Sequence, residues 1–295
     1  MADLAYVNGW IGSLGEARIS ILDRGFQFAD GVYEVLRTYS GRPFELSAHL
    51  GRLEQSLAGL GLRAPLPRRR LQALILDLVR RSGYADARVY IQVTRGVGKR
   101  RQHVFPKRGR PTLVLYVERA GSGSAALQRC GVAVVTLPDP RWKHCHLKTL
   151  VLLPNVLARQ AAARAGATEA ILLGPRGVVR EGSASNVFIV RKRFLRTHPL
   201  GSEILPGVSR QVVLELSRAE GLTVREEPFR LPALLGADEV LLSSTSLEIT
   251  PVVRVDGRVI GGGSPGPVAR ALLERFRART RGAAWDGPST RRHAS

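Results

Sequence analysis

The sequence predicts a mixed α/β protein of the α+β type, built as two domains, on three observations. Residues 1–120 alternate strand-like and helix-like patterns. The run Gly121-Ser122-Gly123-Ser124 then interrupts them as a flexible joint. The remainder of the chain is richer in short strands. The predicted organisation is a small N-terminal α/β domain over 1–120, a linker at 121–124, a larger domain over 125–280 and a basic, frayed tail over 281–295.

Each element has a local reason. Gly31 to Tyr39 has β-type composition, and alternation puts Val32, Glu34, Leu36 and Thr38 on one face. Ser47 is placed to cap a helix that runs to about Leu60 and stops at Gly61. Leu71, Leu74, Ile75, Leu78 and Val79 form the apolar stripe of a second helix, ended near Gly83. Val89, Ile91 and Val93 alternate along a strand over 88–94, and 112–118 reads as another. Beyond the joint, strands are predicted at 131–137, 169–173, 186–191, 239–243 and 250–255, with helices near 155–165, 207–220 and 267–279. Asp256-Gly257 is a hairpin turn.

Composition narrows the function classes. With 295 residues and 44% hydrophobic content the chain can bury a sizeable core. No apolar run reaches the ~20 residues a membrane helix needs. Met1 to Gly9 lacks a basic leader pattern, and two cysteines, Cys130 and Cys145, make no disulfide framework, so the cytoplasm is expected. The formal charge of +21 is compatible with nucleic-acid binding. The arginines are scattered, however, and no recognition motif surrounds them, so small acidic substrates are the better match. His144-Cys145-His146 would point two imidazoles one way in an extended segment, but no further ligands complete a zinc site.

Lysine is scarce: five of the 45 basic residues. Lys99, Lys107 and Lys192 lie beside arginines in turn-like stretches. Lys148 instead precedes the apolar segment Thr149-Leu150-Val151-Leu152-Leu153, where partial desolvation would favour a free amine. Glu181 comes later, at a strand edge, in Glu181-Gly182-Ser183-Ala184-Ser185-Asn186. An amine and a carboxylate among glycines and hydroxyls suit pyridoxal 5'-phosphate, whose aldehyde needs the first and whose ring nitrogen is commonly paired with the second. Pro206-Gly207-Val208-Ser209 opens a helix whose N–H groups favour a phosphate, Ser243-Ser244-Thr245-Ser246 adds hydroxyls, and Arg52 offers a fork of donors.

These pieces occur in a familiar order. Asp23 to Val35 (DRGFQFADGVYEV), His49-Leu50-Gly51-Arg52-Leu53, Gln92 to Gly96, Asp139-Pro140-Arg141-Trp142, the Lys148 segment, Glu181 to Phe188, Thr197-His198-Pro199 and Glu248 to Val252 together resemble the class IV, fold-type IV pyridoxal-phosphate aminotransferases, with the D-amino-acid enzymes as the nearest subgroup. The resemblance runs from about residue 4 to residue 279. It implies the two-domain fold-type IV architecture, with a pseudo-barrel second domain that anchors the cofactor. It also implies that Lys148 bonds to the cofactor and moves the proton between substrate Cα and cofactor C4′, and that Glu181 pairs with the ring nitrogen. Arg52, Val208, Ser209 and Thr245 would hold the phosphate, Leu205 would pack on the ring, and Tyr33 would lie near the substrate carboxylate.

The subgroup rests on Arg101-Gln102-His103. In D-amino-acid aminotransferases an Arg-x-His at this place reaches into the partner subunit and, with the tyrosine matching Tyr33, traps the substrate carboxylate. A homodimer is therefore implied. The loop Val97-Gly98-Lys99-Arg100 is one residue longer than the family's, which leaves Arg100 as the alternative to Arg101. The expected reaction moves an amino group from D-alanine to 2-oxoglutarate. The alternatives are a branched-chain L-aminotransferase, an (R)-amine transaminase or an aminodeoxychorismate lyase of the same fold, and, more remotely, a basic nucleic-acid-binding protein.

Overall fold

The computed structural model describes residues 1–107, 109–121 and 124–282. Ser122 and Gly123 of the expected linker, and 283–295 of the expected tail, lie outside the described residues. The chain begins with β1 (Leu4–Val7), β2 (Trp10–Ser13), α1 (Arg24–Phe28), β3 (Gly31–Tyr39), β4 (Arg42–Pro43), α2 (Leu46–Gly59), α3 (Arg68–Ser82), β5 (Ala87–Thr94) and β6 (Thr112–Arg119). These strands make a six-stranded antiparallel sheet in the order β2-β1-β6-β5-β3-β4. The period-2 pattern determines its faces: Val32, Leu36, Val89, Ile91, Val93, Leu115 and Val117 pack under Leu50, Leu53 and Leu57 of α2 and Leu71, Ile75, Leu78 and Val79 of α3. Fully burying each such side chain contributes about 1.5–3 kcal/mol.

The alternation along β3 has a consequence for function. If Val32, Glu34 and Leu36 point under the helices, Tyr33 and Val35 must point to the other face, and there they line a cavity. Gly83 ends α3 in the left-handed region at φ 71°, as its position predicts. The predicted cap of α2 is corrected: Ser47 lies inside the helix and accepts from Arg68, while Glu45, at φ 52°, occupies the cap position without a side-chain bond.

The chain continues through α4 (Ser124–Cys130), β7 (Val132–Pro138), α5 (Leu153–Arg164), β8 (Glu169–Leu173), β9 (Val179–Gly182), β10 (Asn186–Arg191), β11 (Phe194–Thr197), α6 (Val208–Ala219), β12 (Thr223–Glu226), α7 (Leu231–Leu235), β13 (Glu239–Ser244), β14 (Glu248–Val255), β15 (Arg258–Val259) and α8 (Pro267–Thr280). Eight of these strands form a mixed path β12-β11-β10-β13-β14-β7-β8-β9, with β15 on β14. The β7–β8, β7–β14 and β11–β12 pairs are parallel. Asp256 and Gly257 both take positive φ and turn β14 into β15, the predicted hairpin. One face of the sheet packs on α6 and α8 through Phe188, Leu241, Val212, Val213, Leu272 and Phe276. A second core gathers Val134, Ile171, Val187, Val240, Leu242 and Val252 with Phe229 and Leu234. The mixed α+β architecture matches the prediction.

Two seams join the sheets. Glu248 at the start of β14 accepts from Arg37 at 3.0 Å and from the Tyr39 hydroxyl at 2.8 Å, both on β3. At the other end of β3, the Lys148 segment lies along the strand's free edge: Tyr33 N–H donates to the Lys148 carbonyl at 2.9 Å and Leu150 N–H to the Gly31 carbonyl at 3.0 Å. Gly31 has to be small for this, because a Cβ there would stand 2.7 Å from the Val93 carbonyl and 2.9 Å from Leu150 Cδ1.

Candidate active site

Between the sheets lies a cavity of about 650 Å³. It brings together Tyr33, Arg52, Lys148, Glu181, Leu205, Val208, Ser209 and Thr245, eight of the residues predicted from the sequence. Arg101 and His103 do not line it; both are exposed, on a loop outside their own chain's cavity.

At one end, Lys148 is half-buried and its Nζ lies 4.3 Å from the centre of the Tyr33 ring, where the π face attracts the ammonium. Its backbone is fixed on both sides, by the Tyr33 bond and by its own N–H donating to Ser56 Oγ at 3.1 Å. The root of the side chain is therefore pinned.

Glu181 sits at the end of β9, only 4% exposed. Arg141 donates to Oε1 at 2.5 Å, and Oε2 accepts from Asn186 at 3.1 Å and from the Leu205 N–H at 3.0 Å. Burial pushes this carboxyl up to about 7, while the Arg141 charge and the Leu205 N–H limit the rise. Arg141 is itself divided, since it also grips Asp139, which in turn accepts from Arg180. Arg141, Asn186 and Asp139 were not predicted as site residues. Their signal was weak: Asp139 to Trp142 and Glu181 to Phe188 stood out as motifs, but nothing in the spacing joins one to the other.

The sign of the resulting pH dependence comes from the direction of the shift. Because Glu181 titrates above its usual 4.5, the folded protein keeps a proton between about 4.5 and 7 that the unfolded chain has lost. Its contribution to stability therefore falls as pH rises through that window. Cofactor-free protein should show this decline in Tm against pH, and Glu181→Gln should flatten it.

Elsewhere on the cavity wall, α6 begins at Val208 behind Gly207, and no side chain caps it. Its first-turn N–H groups, which have no partner inside the helix, give an anion seat. A Cβ at Gly207 would fall 2.0 Å from Asn186 Oδ1, so the backbone can approach this closely only as glycine. Asn186 thus touches both the acid and the anion seat. Ser243 Oγ, on the cavity wall, is buried with no hydrogen-bond partner, a donor and acceptor awaiting one.

Arg52 reaches the cavity already engaged. Its Nε and one Nη donate to the two oxygens of Glu34 at 2.6 and 2.9 Å, and the other Nη donates to the Pro206 carbonyl at 3.0 Å. Burial pushes the Glu34 carboxyl up, but the Arg52 charge and bonds, with help from His49 at 2.9 Å, outweigh it and hold it at about 2. Burial holds His49 below its usual value. Glu34 and His49 were not predicted as site residues either, although the alternation that buries Glu34 was.

A phosphorylated pyridine aldehyde fits this donor set. It would present an aldehyde to a lysine amine, a ring nitrogen to a buried carboxyl and a phosphate to an uncapped helix and an orphaned hydroxyl. The comparisons agree. Residues 31–255 match the family model "Amino-transferase class IV". The chain belongs to the class IV aminotransferases. Its cofactor is pyridoxal 5'-phosphate and its fold is fold-type IV. This aminotransferase is 38% identical over 263 residues to a D-alanine aminotransferase of Bacillus licheniformis, covering 89% of this chain and 92% of that one. It is 40% identical over 275 residues to a D-alanine aminotransferase of Listeria monocytogenes serotype 4b, covering 92% and 93%. Among solved structures it resembles the branched-chain amino acid aminotransferase of Escherichia coli, with TM-score 0.90, 26% identity and 97% of both chains covered. It also resembles a T.th. branched-chain amino acid aminotransferase with pyridoxamine 5'-phosphate, with TM-score 0.87, 28% identity, and 95% and 94% covered. No described helix is long and apolar enough to cross a membrane.

Proposed function

We propose that the protein transfers the amino group of a D-amino acid, such as D-alanine, to a 2-oxo acid, such as 2-oxoglutarate, in two half-reactions. The observation that carries the reading is the cavity itself, with an amine at one place and a buried carboxyl at another, in a chain whose D-alanine aminotransferase relatives share 37–40% of their residues with it. The branched-chain enzymes share the shape at lower identity.

Pyridoxal phosphate, when bound, supplies an electron-withdrawing ring that stabilises negative charge at the substrate Cα. The chain's own residues do the rest. Lys148 Nζ would anchor the cofactor and would carry the proton that leaves the substrate Cα. Its backbone is held by two hydrogen bonds, and its Nζ lies against the Tyr33 ring. Glu181 would pair with the ring nitrogen, its negative charge favouring the protonated nitrogen and that proton in turn favouring the ionised carboxylate. Val208, Ser209, Arg52, Thr245 and Leu205 all line the cavity; Val208 and Ser209 would hold the phosphate with the N–H groups of the first turn of α6, Arg52 and Thr245 would flank it, and Leu205 would pack against the ring.

The substrate carboxylate is taken by Arg101 and His103 of a second subunit together with Tyr33. A homodimer in the cytoplasm completes the reading. Light scattering during turnover would show a dimer; a fully active monomer overturns this part. The test of the activity is the absorbance of the holoenzyme on addition of D-alanine and, separately, L-leucine. D-alanine alone should discharge the visible band of the lysine-bound cofactor. Discharge by L-leucine alone would transfer the protein to the branched-chain group.

A further inference from the structure

The loop that carries Arg101 and His103 has no regular secondary structure over 101–106, yet its backbone is held by one buried side chain. Arg24, 5% exposed, donates to the carbonyls of Gln102 at 2.6 Å, His103 at 3.1 Å and Val104 at 3.4 Å. Its remaining nitrogen is spent on Asp30 at 2.7 Å. Asp30 also binds Arg95 Nε through both oxygens, and Arg95 lies 3.6 Å from the centre of the Phe105 ring. The side chains of the loop rest on the same helix: the Arg101 guanidinium lies 4.8 Å from the centre of the Phe28 ring, and the His103 ring meets Phe28 edge-on at 5.4 Å. The helix is fixed in turn, since Asp23 caps it at Gly25 and accepts from Thr94 and Thr112 on β5 and β6.

We propose that Arg24 is the positioning residue for substrate-carboxylate recognition: it fixes the loop backbone that aims Arg101 and His103, with Phe28 as their platform. The proposal rests on the reading that Arg101 and His103 take the substrate carboxylate. The rigid fork of Arg24 serves three consecutive carbonyls and Asp30 at once, whereas a lysine has only three N–H groups on one rotatable nitrogen. A loop released from them leaves its arginine charged but misdirected, so that its fork no longer meets the substrate carboxylate squarely and binding weakens.

The test is Arg24→Lys in the holoenzyme, followed by single-turnover kinetics with D-alanine. The apparent Kd for D-alanine should rise about 10-fold, while the maximal rate and the affinity for pyridoxal phosphate stay within about threefold of wild type. In an Arg101→Ala background the same substitution should add little, because the two act through one contact. An unchanged Kd overturns the proposal. So does a Kd that rises together with loss of cofactor affinity and maximal rate, which would mark general damage to the fold. If Arg24→Lys does not fold, Phe28→Leu is judged by the same outcomes. Should wild type respond to L-leucine and not to D-alanine, the stereochemical reading fails, and the comparison made with L-leucine still decides the role of Arg24.

Discussion

Replacing Lys148 by alanine will abolish transamination, with a loss of at least about 10³-fold in kcat, the range for removing a positioned proton-transfer group. The same substitution removes the cofactor's covalent anchor, so the purified variant should lack the visible band of the lysine-bound cofactor even when pyridoxal phosphate is added. Protein stability should change little, because the elements around Lys148 are held by its backbone and not by its side chain: the Tyr33 and Ser56 bonds survive in alanine. The paired measurement is absorbance and Tm. A variant that keeps a tenth of wild-type kcat would show that another group moves the proton; among the described residues no other lysine lines the cavity.

The second large effect falls on Arg101. Truncation to alanine should lower kcat/KM for D-alanine by about 10- to 100-fold, as expected for losing a charge-assisted hydrogen-bonding partner of a carboxylate. Cofactor binding should change little, since the residues assigned to the cofactor (Lys148, Glu181, Arg52, Leu205, Val208, Ser209 and Thr245) all line the cavity of one chain and Arg101 is assigned to the substrate carboxylate alone. Arg100→Ala provides the control, because the lengthened loop leaves two arginines side by side. A loss confined to Arg100→Ala would transfer the role by one residue, and no loss in either would remove the loop from substrate recognition.

What the sequence could reveal and what it could not divide along a physical line. Strongly periodic elements were legible: the β3 alternation, the α3 stripe closed by Gly83 and the Asp256-Gly257 turn each carry their signal within a few residues. Short elements such as β1, β9, β12 and α7 have four or five residues each, too few for a period, and are fixed only by the neighbours they pair with. Ser47 has the right chemistry for a cap, yet the left-handed Glu45 starts the helix earlier. The site divides the same way. Lys148, Glu181 and the Gly207-Val208-Ser209 turn announce their chemistry in residue type. Arg141 and Asn186 on Glu181, and Glu34 and His49 behind Arg52, are partners chosen by the fold across up to dozens of residues, and no local pattern points to them.

The seam between Lys148 and β3 has a mechanical consequence. By chain order Lys148 belongs with the second sheet, but its hydrogen bonds enrol it in the first, beside Tyr33, whereas Glu181 travels with β9. Any breathing of one sheet against the other therefore stretches the span between amine and acid instead of carrying both together. The Glu248 clasp on Arg37 and Tyr39, at the far end of the same strand, ties the two sheets together a second time. The spacing of amine and acid thus rests on how the two sheets are joined, and so on residues that touch neither reactant.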